Sequence, residues 1–372
     1  MPNILLISTS RSRTKYFNQI AKNLNLNVTV IVNPISFNIG EVLNIKKRFN
    51  FEAVFEEKFR EIEMKYRNRL YINIYKKYIK FITPFIANAY EKEMNKQQVD
   101  IVGLWNGKKF PELIASSVAK TLDIKCFYFE NGLFPNTTVL DLKGVNASNS
   151  VPRNIKFYQN ITPTFTAPKK LNQRKELGKR IKSQEELPLK YIFVPFQTNF
   201  DTQVIYHGRW IKNMEQLFNL INKLSKELKI NFVLKEHPSE RQMNYAPLHQ
   251  QAQENPYIQF ANSYATQTLI ENAQAIVTIN SSVGLESLLF NKKVIILGEA
   301  FYDIEGITKS APSQERLIEI LTQIDKWKIE EENIKKFLHY LIEDYLIKGD
   351  WKTPNEIHFK SLEEHICSFI EK

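Results

Sequence analysis

Short apolar runs, each closed by a polar cluster and followed by a stretch of helical periodicity, recur along this chain. Asn3–Ser8 reads as a first buried strand, and the loop Ser8-Thr-Ser-Arg-Ser-Arg13 leads into an amphipathic helix carrying Tyr16, Phe17, Ile20 and Leu24. Val28–Val32, Asp100–Trp105 and Ile124–Phe129 read as further strands, with a helix from Pro111 to Leu122 where proline suits the first turn. Residues 50–95 read as helical, basic and aromatic. The pattern then restarts, with strands over Lys190–Pro195, Asn231–Lys235, Ile258–Phe260, Ala275–Ile279 and Val294–Leu297. Helices are expected over Arg209–Leu228, Ala265–Asn272 and Val283–Phe290, and in the last segment over Arg316–Ile324, Glu330–Tyr345 and Leu362–Ile370. Strands alternating with helices predict parallel sheets with right-handed crossovers, whose carboxyl ends share one side.

The length of 372 residues suits two domains, and the polar stretch Thr162–Glu186, with its basic run Lys169–Lys182, is taken as the connection. The 43% hydrophobic and 24% charged content are those of a globular chain. No apolar run approaches the roughly 20 residues needed to span a bilayer, and the first apolar run is too short for a signal peptide. Cys126 and Cys367 show neither metal-ligand nor disulfide spacing, so a cytoplasmic location is expected. The net charge of +11 admits nucleic acid, an anionic membrane or acidic substrates as partners. No zinc-finger spacing or RNA-binding signature is present, which argues against nucleic acid. The cluster of Phe59, Tyr66, Arg67, Arg69, Tyr71, Tyr75, Lys76, Lys77, Tyr78 and Lys80 either rests on an anionic membrane or packs its rings inside.

Candidate chemistry collects at strand ends. In the second half these are Gln197–Gln203, Lys235–Glu240 and Asn280–Glu286, which parallel connections bring to one edge. Asn280, Ser281 or Ser282 caps the helix that follows, and Gly284 allows close approach in its first turn. Lys235 and His237 beside a helix N-terminus suit a nucleotide phosphate, and Glu286 either accepts from ribose hydroxyls or serves the helix dipole. In the first half, Glu130 ends a strand beside Gly132, and Asp141 follows on a loop pinned by Gly144. Two such carboxylates can divide the roles of nucleophile and proton carrier in glycosyl chemistry, or simply be solvated. Two Rossmann-like halves facing across a cleft describe the GT-B architecture. The expected division is 1–170 for the acceptor and catalytic domain, 171–330 for the nucleotide-sugar domain, and 331–372 for helices packing back on the first.

An ordered set of segments carries a resemblance. Phe129–Pro135 (FENGLFP), Asp141–Asn146 (DLKGVN), Val194–Asp201 (VPFQTNFD), Lys235–Pro238 (KEHP), Ser281–Glu286 (SSVGLE), Lys292-Lys-Val and Gly298–Thr308 are similar to the bacterial capsule polysaccharide synthesis family. That family contains β-Kdo transferases using CMP-Kdo. The resemblance implies that His237, Pro238, Ser281, Ser282 and Glu286 bind the cytidine monophosphate, supported by Gln197 and Lys235. It implies Asp141 as the nucleophile and Glu130 as the acid/base of a retaining transfer to a saccharide or lipid-linked acceptor, in capsule or O-antigen synthesis. Arg11, Arg13, Lys108, Asn146 and Arg153 are candidates for the donor's carboxylate or the acceptor. No metal and no cofactor besides the donor is expected, since no Asp-x-Asp motif stands beside these segments. A basic first domain suits a lipid-linked acceptor and peripheral contact with the inner membrane. Two other readings stay open: a nucleotide-sugar epimerase of the same fold, and a non-catalytic capsule assembly or export partner.

Overall fold

A computed structural model describes residues 2–36, 38–168, 170–171, 186–199, 201–241 and 243–370. The chain forms two compact units, Met1–Ser150 with Tyr345–Lys372, and Val151–Asp344. Each is of the α/β class expected, built on a six-stranded sheet.

The first unit runs β1 (Asn3–Ser8), α1 (Arg11–Asn23), β2 (Asn27–Val32), α2 (Ile39–Arg48), α3 (Glu52–Lys65), α4 (Arg69–Lys96), β3 (Ile101–Trp105), α5 (Glu112–Thr121), β4 (Lys125–Asn131) and β5 (Thr137–Asp141). Its sheet order is β12-β5-β4-β3-β1-β2, where β12 is the last strand of the chain, Ile347–Lys348. Strands β1 to β4 pair in parallel, and helices cover both faces of the sheet at its centre, where β1 and β3 are buried. One face packs Ile4, Leu6, Phe127 and Phe129 against Tyr16, Phe17 and the C-terminal helix; the other packs Leu5, Ile7, Val102 and Leu104 against Ile114, Val118 and Tyr90. Each such side chain, fully buried, contributes about 1.5–3 kcal/mol.

Strand β5 departs from expectation. Asp141 is expected on a loop pinned by Gly144, but Thr137–Asp141 pairs antiparallel with β4, placing Asp141 opposite Tyr128. The reversal is made by a tight turn: Asn136 has φ +55, and a Cβ on Gly132 would lie 2.0 Å from the Thr137 carbonyl oxygen. Asp141 therefore ends a strand that runs back from the edge where Glu130 stands.

The second unit runs β6 (Ile192–Pro195), α6 (Thr202–His207), α7 (Met214–Leu228), β7 (Phe232–Lys235), α8 (Ala246–Gln253), β8 (Ile258–Phe260), α9 (Thr266–Asn272), β9 (Ala275–Thr278), α10 (Ser282–Leu288), β10 (Lys293–Ile296), β11 (Lys309–Ser310), α11 (Gln314–Thr322) and α12 (Glu331–His339). All its strand pairings are parallel, in the order β11-β10-β9-β6-β7-β8. This is the doubly wound Rossmann order, and it reverses between β6 and β9. Helix α7 shows why the local sequence folds so: Asn213 caps its start by accepting from the Gln216 N–H, and Lys229 ends it in the left-handed region.

The unit boundaries lie elsewhere than 170 and 331. Residues after Ser150 join the second unit because Tyr158 buries its ring against Phe337 and Tyr340, 5.5 and 5.6 Å away. Helix α12 stays with it, and only β12 and α13 (Glu356–Ile370) return to the first unit, through Ile347, Leu362 and Ile366. Most of the expected connection Thr162–Glu186 lies outside the described residues.

Candidate functional site

In the second unit the reversal of strand order falls between the ends of β6 and β9, where Gln197 and Asn280 stand. Both are buried and bond reciprocally: Gln197 Nε2 donates to Asn280 Oδ1 (3.0 Å), and the Asn280 N–H donates to Gln197 Oε1 (3.3 Å). Asn280 Nδ2 also donates to the Gln203 and His207 carbonyls, which fixes α6 against the end of β9. Next to Asn280, the Ser281 hydroxyl caps α10 by accepting from the Val283 N–H (3.2 Å). The Tyr302 hydroxyl donates to the Ser281 carbonyl. Gly284 is required by packing: a Cβ there would lie 2.6 Å from the Tyr302 hydroxyl. Ser282 donates to Glu286 one turn on (3.4 Å).

At the end of β7, His237 Nδ1 accepts from the Ser239 N–H (3.1 Å), which puts the ring proton on Nε2. Pro238 holds the turn between them. Lys235 is buried, and its Nζ donates to the Asn262 and Tyr264 carbonyls (3.0 and 2.5 Å), so its ammonium ties down the loop after β8. Glu236, which the sequence reading passes over, accepts from His249 Nε2 (2.6 Å) and Asn262 Nδ2 (2.8 Å). Arg153 belongs to this unit, its guanidinium 5.8 Å above the Phe301 ring in the loop after β10. In that loop burial raises the Asp303 carboxyl from its ordinary range, against the pull of Ser310 and Arg209.

In the first unit the strand order reverses between β1 and β3, and a second polar cluster sits there. Its centre is Glu112, the first residue of α5, which the sequence reading misses. Glu112 Oε1 accepts from the Thr9 hydroxyl (2.6 Å) and Arg13 Nη1 (3.4 Å); Oε2 accepts from the Gly107 N–H (3.4 Å). Burial pushes its carboxyl up to about 7, against the lowering effects of Thr9 and Arg13. Asn106, with φ +70, turns the chain at the end of β3 and donates to Glu130 Oε2 (2.7 Å). The Asn106-Gly107 turn thus holds one carboxylate with its side chain and the other with its backbone. Trp105 floors the cluster, with the Arg13 guanidinium 5.1 Å and the Trp351 ring 4.4 Å from its ring centre. A buried carboxylate shifted toward neutrality at such a point is a candidate for proton transfer.

Of the other residues singled out in this unit, Arg11 is exposed at the start of α1, and Lys108 pairs with Glu57 at 3.2 Å. Asn146 opens a short 3-10 turn with φ +54. Asp141 is 1% exposed and accepts five hydrogen bonds. These come from the Lys143 and Gly144 N–H groups on Oδ1, and from the Ser150 N–H, the Ser150 hydroxyl and the Tyr345 hydroxyl on Oδ2. All four of its lone-pair sites are engaged, and the bonds order the loop from 142 to 150. Among the described residues no group of His, Cys, Asp or Glu is arranged to hold a metal ion.

Over 257 residues, 68% of this chain, it is 34% identical to the protein FixF of Sinorhizobium fredii, of which that stretch is 62%. It is 30% identical over 148 residues to the capsule polysaccharide export protein KpsS of Escherichia coli, covering 37% of each chain. The chain thus spans less than two thirds of the length of these curated relatives. A solved structure of the β-Kdo 2,7 transferase of Thermosulfurimonas dismutans KpsC aligns over 98% of this chain and 99% of its own, with 13% identity and a TM-score of 0.48. The model of the capsule polysaccharide biosynthesis protein family matches residues 166–351, half of the sequence and nearly all of the second unit. The chain belongs to that family.

Proposed function

We propose that the protein is a glycosyltransferase of polysaccharide synthesis, moving an acidic sugar, Kdo, from CMP-Kdo to a saccharide or lipid-linked acceptor with retention of configuration. The observation that carries this reading is the cluster at the β6/β9 reversal. There Gln197 and Asn280 bond to each other beside Ser281 and Ser282, at the point where doubly wound sheets bind nucleotides, and His237 follows the neighbouring strand β7. The His237 Nε2–H and the start of α10 suit the monophosphate, Glu286 suits a ribose hydroxyl, and Arg153 suits the sugar's own carboxylate. Gln197 and Lys235 hold the loops that carry these groups.

The first unit supplies the reacting groups in this proposal. A carboxylate oxygen bonds to the anomeric carbon as the bond to CMP breaks. An acceptor hydroxyl then displaces that carboxylate while its proton passes to a neighbouring base, and two inversions restore the configuration. Asp141 is the nucleophile by resemblance, and its geometry sets a condition: one of its five donors must turn away, and the rotatable Ser150 and Tyr345 hydroxyls on Oδ2 are the two able to do so. Glu130, oriented by Asn106, is the acid/base, with Glu112 holding a proton beside it.

The decisive experiment incubates the enzyme with CMP-Kdo alone and measures its intact mass. A covalent sugar adduct that maps to Asp141 is expected, together with CMP release. An adduct on Glu130 would exchange the two roles. If neither adduct, nor transfer, nor a rise in melting temperature with CMP is seen, the transferase reading fails. CMP binding with no turnover would favour a non-catalytic assembly or export role; the Escherichia coli relative is named an export protein.

A further inference from the structure

Helix α4 has two halves with different surroundings. Its second half buries Ile82, Ile86, Ala87, Tyr90 and Met94 in the core, which anchors the helix. Its first half stands open: Leu70 and Phe81 are 70% and 62% exposed, and Tyr71, Ile74 and Tyr78 are exposed with them. At about 100° per residue these five side chains fall within an arc of roughly 100°, one continuous stripe. Between Lys65 and Phe81 the chain has Lys65, Arg67, Arg69, Lys76, Lys77 and Lys80 and no acidic residue. Lys76 pairs with Glu63, while Arg67, Arg69, Lys77 and Lys80 are exposed, and Lys77 adjoins the stripe. The rings of Tyr66, Tyr71 and Tyr75 pack on one another with centroids 4.8 to 6.1 Å apart, so the surface is preformed.

We propose that this stripe of α4 is a docking surface for an anionic lipid bilayer. The aliphatic and aromatic side chains enter the interface and the flanking lysines and arginines meet the headgroups. Charge complementarity selects this occupant, since the segment is wholly basic. A nucleic acid would use the cations and rings but gain nothing from Leu70 and Ile74. The helix lies along the surface, because no described helix is long and apolar enough to cross a membrane. The inference concerns where the protein is held and stands whether or not the donor is CMP-Kdo.

The test is sedimentation of the full chain with phosphatidylcholine vesicles, with and without about one third phosphatidylglycerol. Binding to the anionic vesicles alone, weakening as salt rises, is expected. Leu70→Asp/Ile74→Asp/Phe81→Asp and, separately, Arg67→Gln/Arg69→Gln/Lys77→Gln should each lower binding at least about tenfold. The melting temperature should stay unchanged, because all six positions are exposed. Should the aspartates impair folding, serine at the same three positions tests the same point. Equal binding to neutral vesicles, or no effect of either variant, overturns the proposal. So does a dimer in solution that the first variant abolishes while vesicle binding is absent, since a second copy would then cover the stripe.

Discussion

Glu112 shows how one side chain can govern a site without announcing itself. A glutamate in the first turn of an amphipathic helix reads as a partner of the helix dipole. What sets it apart is contact with Thr9 and Arg13, 103 and 99 residues away. Its folded carboxyl titrates at about 7, against an ordinary 4.5. Between these values the native state binds more protons than the unfolded one. Stability conferred by this group is therefore present at low pH and is lost as pH rises through the window, by about 3 kcal/mol in all. Glu112→Gln removes the titration. In denaturant melts, the stability of the native sequence relative to this variant should fall by that order between pH 4.5 and 8. A difference that does not change with pH would show that the Glu112 carboxyl binds its proton equally well in the folded and unfolded chain. If Glu112 also holds the reacting proton, kcat/KM of the native protein should titrate near 7 and that step should vanish in the variant. Asp141 is the reverse case. Its motif is plain in the sequence, but four of the five donors that surround it come from the loop after β5 and the fifth from Tyr345, far along the chain, an enclosure that no local pattern reveals.

Elements were legible where their periodicity was strong. The nine strands that the apolar runs predict are all present, and so are the helices after β1, β6, β8 and β9. The strands left unread, Thr137–Asp141, Lys309–Ser310 and Ile347–Lys348, are an antiparallel hairpin arm and two edge pairs of two residues each, with too few side chains to show a period. The last of these brings α13 home, and that helix is held by a polar contact as well as by its core residues. His358 Nδ1–H donates to the Lys348 and Gly349 carbonyls, and Nε2 accepts from the Tyr16 hydroxyl at 2.8 Å. Burial lowers the ring's titration below the ordinary 6.5, so the stability it confers is present above that pH and lost as pH falls further. His358→Phe orphans a buried hydroxyl and should cost about 1–3 kcal/mol in thermal or denaturant unfolding. Adding Tyr16→Phe should recover part of that loss. A double variant no better than the single one would place the cost in packing alone.

At the scale of the whole molecule, two α/β units were foreseeable from the restart of the strand and helix pattern near residue 190, whereas their borders were not. Tyr158 looks like any tyrosine in a polar stretch, and only its burial against Phe337 and Tyr340 assigns it to the second unit. The two places where the chain passes from one unit to the other, after Ser150 and before Tyr345, have something in common. Ser150 and Tyr345 both donate to a single oxygen, Oδ2 of Asp141, at 2.7 and 2.9 Å. In the vocabulary of chain topology, the second unit is an insertion into one surface connection of the first, and its entry and exit are stapled together. The ends of that connection are on the order of 10 Å apart, within reach of a linker of about six glycine and serine residues. Closing so short a gap carries little entropic cost. Residues 2–150 joined through such a linker to 345–370 should therefore fold alone, giving a cooperative melt and the far-ultraviolet circular dichroism of an α/β unit. The same molecule with Asp141→Ala should melt lower, its connection no longer tied.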